Sequence, residues 1–146
     1  MDRLLLLLPT TTYRTHDFLE AARTLGVEIV CASDEPSTFE AHAPDNLLTL
    51  DFDDPDAAAA RVATLADRRP LAAVVGVDDL TAVAAAAIAE RLGLKANGRA
   101  AVAAARDKHQ MRQCLAAAGV PIPRFRRIAL RTIPSWPRAA WRSPVC

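Results

Sequence analysis

Three short stretches of this chain carry residue types that can do chemistry. The first is Pro9-Thr10-Thr11-Thr12-Tyr13-Arg14, which follows a run of leucines. Its hydroxyls, with the Arg14 guanidinium, can hold a carboxylate or a phosphate where a helix begins. The same residues also make an ordinary capped turn. The second is Asp78-Asp79, placed directly after an apolar β-branched run. Carboxylates there can orient a substrate or pair with an arginine, and they serve equally as the N-cap and first turn of the next helix. The third is Ala105–Phe125 (ARDKHQMRQCLAAAGVPIPRF), in which an acid–lysine pair opens a helical pattern that closes on glycine and two prolines.

Other chemistries are excluded by what surrounds these stretches. The first turn contains no glycine, so neither a GxGxxG fingerprint nor a Walker loop is present. That argues against a dehydrogenase. A phosphoacceptor site of the receiver type wants acids after the first strand, and proline and threonine stand there instead. His16, His42 and His109 have no ligand spacing, and Cys31, Cys114 and Cys146 form neither a metal motif nor a disulfide framework. The sequence predicts no metal ligands and free thiols in a reducing cytoplasm.

The elements that position these stretches follow from periodicity. Arg3–Leu8 is a continuous apolar run stopped by Pro9, which predicts a buried parallel strand. Residues 15–25 place Phe18, Leu19, Ala22 and Leu25 on one helical face, with Thr15 as the expected cap and Gly26 as the end. Val27–Ala32 and Leu47–Phe52 read as strands, separated by a polar loop over Ser33–Asn46. A helix from Asp53-Asp54-Pro55 to about Arg69 follows, then a strand over Leu71–Val77 and an alanine-rich helix over Asp78–Leu92. Helices alternating with apolar strands predict an α/β fold with a helix-covered parallel sheet of about four strands. Ligands in such sheets bind beyond the carboxyl ends of the strands. That directs attention to Pro9–Arg14, Ser33–Pro36 and Asp78–Leu80. Beyond Gly98 the pattern predicts helices over Arg99–Arg106 and Asp107–Ala118, an extended Val120–Pro123 segment, and a weakly alternating strand over Arg124–Leu130.

The 146 residues suffice for one domain with a real core. Although 51% are hydrophobic, 31 are alanine and only 5% are aromatic, so the core must rest on aliphatic runs and close helix packing. No apolar run approaches the roughly 20 residues that a bilayer requires, and no cleavable leader is recognisable. The net charge of +1 conceals an asymmetry. Residues 1–107 hold 17 acids against 10 bases, and residues 108–146 hold 8 bases and no acid.

The Ala105–Phe125 segment resembles the opening of the ATP-grasp fold. Its Asp107-Lys108 pair looks like that family's "DK" position, and Ala118-Gly119-Val120-Pro121-Ile122-Pro123 looks like its "AG-hydrophobic-P-x-P" element. Gly93–Gly98 (GLKANG) is similar to the family's "G-hydrophobic-x-x-N" turn, and the resemblance spans about residues 3–130. It implies a pre-ATP-grasp αβ domain over 1–98 and the start of an ATP-grasp domain over 99–130. It implies that Lys108 contacts nucleotide, a role suited to an ammonium on a flexible stem. It also implies a parent activity: ATP-dependent ligation of a carboxylate to an amine or thiol through an acylphosphate, with ATP and magnesium as cofactors. The partners implied are a nucleotide and a small carboxylic acid, with no nucleic acid and no membrane. Thr11, Thr12, Arg14, Asp78 and Asp79 are the candidates for the acid substrate.

The family's V-K-P lysine, its glycine-rich loop and its late metal-binding Glu and Asn residues have no counterpart here. Back-translation of Arg131–Cys146, read one frame over, permits D-D-P-E-L-A-A-(R/G)-G-V-A-F-P-C-V, which looks like the family's normal continuation. The expectation is therefore an out-of-frame or disordered tail over 131–146, a truncated and inactive ligase, and an exposed apolar patch that favours dimerisation or aggregation. The reading from a different class is a small non-catalytic α/β module that binds an anion or a partner.

Overall fold

The computed structural model describes residues 2–128. The leucine run forms β1 (Arg3–Leu7), paired in parallel with β2 (Glu28–Ser33) on one side and β4 (Ala73–Gly76) on the other. β3 (Leu47–Thr49) pairs with β2, giving a four-stranded parallel sheet in the order β3-β2-β1-β4. Register places Leu5 opposite Val30 and Val74, and Leu7 opposite Ala32 and Gly76.

The chain moves outward from β1 to β3, then returns to the far side of β1. Right-handed crossovers therefore put α1 (Thr15–Leu25) and α2 (Pro55–Ala66) on opposite faces of the sheet. The principal core lies on the α2 face. Leu5, Leu7, Val30, Ala32 and Leu48 meet Ala58, Ala59 and Val62 of α2. Ala84, Ala87 and Ile88 of α3 (Ala82–Arg91) complete it. Small side chains let α2 and α3 approach each other and the sheet closely, which is how an alanine-rich sequence fills a core without aromatics.

α4 (Arg99–Arg106) stacks on α3, and α5 (Lys108–Ala117) stacks on α4. Neither buries a residue completely. Gly26 and Gly119 take left-handed conformations that end α1 and α5, as their positions predict.

Several boundaries differ from those the sequence predicts. α3 begins at Ala82 rather than Asp78, because Asp78 is occupied in the preceding turn. The Ser33–Asn46 loop contains a 3₁₀ turn at Glu40–His42. The Glu40 carboxylate fixes it, accepting from the Thr49 amide (3.1 Å), the Thr49 hydroxyl and Arg61 (2.9 Å). The Thr49 hydroxyl and amide, aided by Arg61, hold that carboxyl below its usual range. Residues 124–128 form no strand, since Phe125 packs instead on α5 against His109 and Arg112. The expected tail over 131–146 lies outside the described residues.

The amino ends of the strands are tied by Arg3, which is only 4% exposed. Its guanidinium donates to the carbonyls of Arg69 (3.2 Å) and Asp45 and to Asn46 Oδ1 (3.2 Å). Its Nε lies 3.3 Å from Glu28 Oε1, an ion-pair contact rather than an aligned hydrogen bond. One side chain thus joins β1, β2 and the approaches to β3 and β4. Replacing it by alanine strips a donor from several part-buried acceptors. Arg3→Ala should cost about 3 kcal/mol of stability in urea denaturation. Arg3→Lys should recover little of that, because one ammonium cannot reproduce the forked geometry.

Candidate functional site at the carboxyl ends of the strands

The order β3-β2-β1-β4 reverses direction at β1. The loops leaving β1 and β4 consequently separate towards opposite faces, and open sheets of this kind bind ligands at such a reversal. Both turns singled out from sequence border this point. β1 ends in Pro9–Arg14, and β4 ends in Val77–Thr81.

The first turn is held by its backbone. The Thr12 amide donates to the Pro9 carbonyl (2.9 Å), and the Thr10 amide donates to Asp34 Oδ1 (2.8 Å). Burial alone would raise the Asp34 carboxyl. The Thr10 and Asp34 amides and the Thr10 and Ser33 hydroxyls outweigh it and hold the carboxyl below its usual value. The expected Thr15 cap is not formed: Arg14 occupies the N-cap position, without a side-chain cap bond. The Arg14 guanidinium lies along its own helix, 5.8 Å from the Phe18 ring centroid and 4.0 Å from Asp17. Thr12 Oγ1 accepts from the Arg14 amide (3.4 Å), while Thr11 is exposed at the tip.

The second turn is tighter. Asp78 Oδ1 accepts from the amides of Leu80 (3.0 Å) and Thr81 (3.3 Å). Thr81 is fully buried, and its hydroxyl donates to the Asp78 carbonyl (3.0 Å). The turn closes over Gly76, where an added Cβ would lie 2.8 Å from Thr81 Oγ1 and 3.2 Å from the Thr81 carbonyl atoms. An isolated glycine inside a predicted strand is the signal for such an approach. Asp78 is thus a structural member of the turn, and Asp79, exposed beside it, has no ion pair among the described residues.

Asp79 lines a cavity of about 420 Å³ floored by Val74 and Gly76 and walled by α3 and α4. Asn97 and Arg106 also line it. At the start of α4, Arg99 makes a two-pronged pair with Asp56 of α2 (2.6 and 3.0 Å), which lowers the Asp56 carboxyl below its usual range. Asp107 then caps α5, accepting from the amides of His109 (2.8 Å) and Gln110 (3.1 Å). Those bonds, with the Gln110 amide first, hold its carboxyl low. Lys108 follows as the first, exposed residue of α5, with no hydrogen bond or ion pair among the described residues.

The structure therefore brings Thr11, Thr12 and Arg14, and separately Asp78 and Asp79, to the carboxyl edge of adjacent strands. Lys108 sits beyond α4, one residue after Asp107. Sequence reasoning reached Asp34 only as part of Ser33–Pro36, and it missed Gly76, Thr81 and Arg106. Among the described residues, no group of three or more His, Cys, Asp and Glu side chains is placed to hold a metal ion. No helix among them is long and apolar enough to cross a membrane.

A family model of the ATP-grasp N-terminal domain matches residues 19–94, more than half of the chain. The chain belongs to the ATP-grasp N-terminal domain family. Solved structures share its fold, among them the following two. The L-amino acid ligase from Bacillus licheniformis matches with a TM-score of 0.65 at 20% identity, over 84% of this chain and 32% of that one. Phosphoribosylglycinamide synthetase from Anaerococcus prevotii matches with a TM-score of 0.59 at 18% identity, over 81% of this chain and 29% of that one. This ATP-grasp chain thus spans about a third of the length of either protein. No curated protein matches it.

Two outcomes follow from the geometry. Gly76→Ala must push the Thr81 backbone away from β4 and should lower stability by about 1–3 kcal/mol, read from the urea midpoint. The α5 cap should titrate. Because the folded-state carboxyl of Asp107 is lowered, its contribution is complete above the ordinary aspartate value of 3.8 and is lost as pH falls through the folded value. The protection of the His109 and Gln110 amides, relative to their intrinsic exchange rates, should fall in that acid window, and Asp107→Asn, which caps without ionising, should flatten the dependence.

Proposed function

We propose that this chain supplies the acid-substrate side, and the first nucleotide contact, of an ATP-dependent ligase that joins a carboxylate to an amine or thiol. In the proposed reaction a carboxylate oxygen attacks the γ-phosphorus of ATP and ADP leaves. The nucleophile then attacks the acyl carbon, loses its proton, and inorganic phosphate departs. The observation that carries the reading is the reversal of strand order at β1 in a chain of this family. Such sheets bind ligands at that reversal, and the two turns that the sequence singled out flank it.

In this reading the Thr11 and Thr12 hydroxyls and Arg14 receive the acid at the β1 turn. Asp78 keeps the β4 turn closed while Asp79 faces the substrate side. Lys108, presented by the capped first turn of α5, places an ammonium against the nucleotide phosphates. In ligases of this kind magnesium neutralises the phosphate charge. The described residues offer no set of ligands that fits it. Residues 2–128 then form one side of a catalytic site, and by themselves they are proposed to release no ADP.

Calorimetry with Mg-ATP tests this. The 146-residue chain should give no tight binding. A chain continued from about residue 131 in the alternative frame, and extended through the rest of an ATP-grasp domain, should bind ATP. In that extended protein, Lys108→Ala should weaken ATP about tenfold, the scale of one lost charge-assisted contact. An extended, folded protein that fails to bind ATP would remove the ligase reading. An intact frame with a true stop after Cys146, found on resequencing, would remove the frameshift.

A further inference from the structure

The two ends of α4 carry opposite charge. At its start, three carboxylates act on Arg99. Asp56 holds it by two hydrogen bonds, and the charges of Asp56, Glu90 and Asp54 add to that hold, raising the guanidinium above its usual value. At its end, Asp107 stands among cations. Arg106 and Lys108 flank it in the chain, and Arg127 joins the Gln110 and His109 amides in lowering its carboxyl. Three carboxylates against one guanidinium leave the start of α4 net negative, and three cations against one carboxylate leave its end net positive. Asp54, Glu90, Arg106, Lys108 and Arg127 are exposed, and none makes an ion pair among the described residues.

Arg99 and Arg106 are two helical turns apart, which separates the poles by about 10 Å along one side of α4. Ala100, Ala101 and Ala105 are exposed between them, and the helix buries no residue completely. A helix charged in this way complements itself when a second copy runs antiparallel to it. One two-fold rotation then sets the acidic end of each copy against the basic end of the other, so both unlike pairs form at once. A polyanion would satisfy the basic end alone and meet carboxylates further along the helix. Alanine methyls let two helices approach to about 8 Å. The net charge of +1 leaves little long-range repulsion between copies.

We propose that two copies of this chain associate through α4 across a two-fold axis, with Asp54 and Glu90 of each copy facing Arg106 and its neighbouring cations in the other. Exposed ion pairs are individually weak, so the dimer is salt-sensitive and favoured by high protein concentration. It requires no nucleotide and stands apart from the ligase reading.

Sedimentation equilibrium of the 146-residue protein tests this. The chain should show a reversible monomer–dimer equilibrium whose dissociation constant rises at least about tenfold between about 0.05 M and about 0.5 M salt. Glu90→Arg alone, or Arg106→Glu alone, sets like charges against each other and should weaken the dimer at least about tenfold. An equimolar mixture of the two variants should restore it, because each interface half of the mixed dimer again joins unlike charges. Circular dichroism establishes that both variants are folded. If either reversal unfolds the chain, Glu90→Gln and Arg106→Gln replace them, each weakening the dimer about threefold. A chain that stays monomeric at low salt overturns the proposal, and if it then binds an oligothymidylate probe the basic pole belongs to a polyanion. A dimer indifferent to salt, folded variants that dimerise as the parent does, or a mixture of folded reversal variants that stays monomeric would also overturn it. None of these results depends on whether the extended protein binds ATP.

Discussion

The position of β1 at the point where the chain reverses direction is the constraint on which everything else depends. A strand paired on both sides in parallel must be apolar on both faces, and the five-residue run Arg3–Leu7 meets that demand from its second residue onward. Once β2 and β3 lie on one side and β4 on the other, right-handed crossovers send the helices to opposite faces. The first and fourth loops then leave adjacent strands at the same edge of the sheet. Arg3 secures the opposite edge by collecting carbonyl and carboxylate oxygens from segments that would otherwise end with unpaired acceptors. The fold is thus tied at its amino edge and open at its carboxyl edge.

Alanine decides how the outer layers are arranged. Ala58 and Ala59 of α2 and Ala84 and Ala87 of α3 are nearly or fully buried, and they allow close packing over the sheet. The same residue type continues into α4, where Ala101 and Ala105 line a cavity instead of filling one. The difference lies in what faces them. α3 meets both the sheet and α2, whereas α4 meets chiefly α3 and α5. Methyl groups that close a gap between three elements leave one between two. Charges divide similarly: amides of their own turns fix Asp78 and Asp107, and Asp56 fixes Arg99, whereas Arg106, Asp79 and Lys108 have no ion pair among the described residues.

The elements were largely legible because their signals are local. A leucine run stopped by proline, Gly26 after an amphipathic stretch and Asp54 before Pro55 each act within a few residues. Asp54 does cap α2 through the Ala57 amide. Where these signals misled, another partner prevailed. Asp78 has the type and place of a helix cap, yet the turn over Gly76 engages its carboxylate and delays α3 by four residues. Glu40 folds part of a polar loop into a turn because Thr49 and Arg61 await it from elsewhere in the chain. Phe125 sits in an alternating pattern, but with no strand beside it the ring packs on α5.

By itself the sequence determined the class of fold, the order of its elements and the two turns at the carboxyl edge. It also pointed, through Asp107-Lys108 and the glycine–proline segment after it, to ATP-grasp proteins, a family that the match over residues 19–94 bears out without reaching those residues. Hydrophobic periodicity and turn chemistry act over a few residues, and a linear reading recovers them. Only the tertiary structure decided which charges were free. Whether an aspartate can meet a ligand depends on whether amides or guanidinium groups many positions away have already claimed it. Arg99 and Arg106 are equivalent on one short helix until Asp56, 43 residues from Arg99, takes one of them and leaves the other at the cavity.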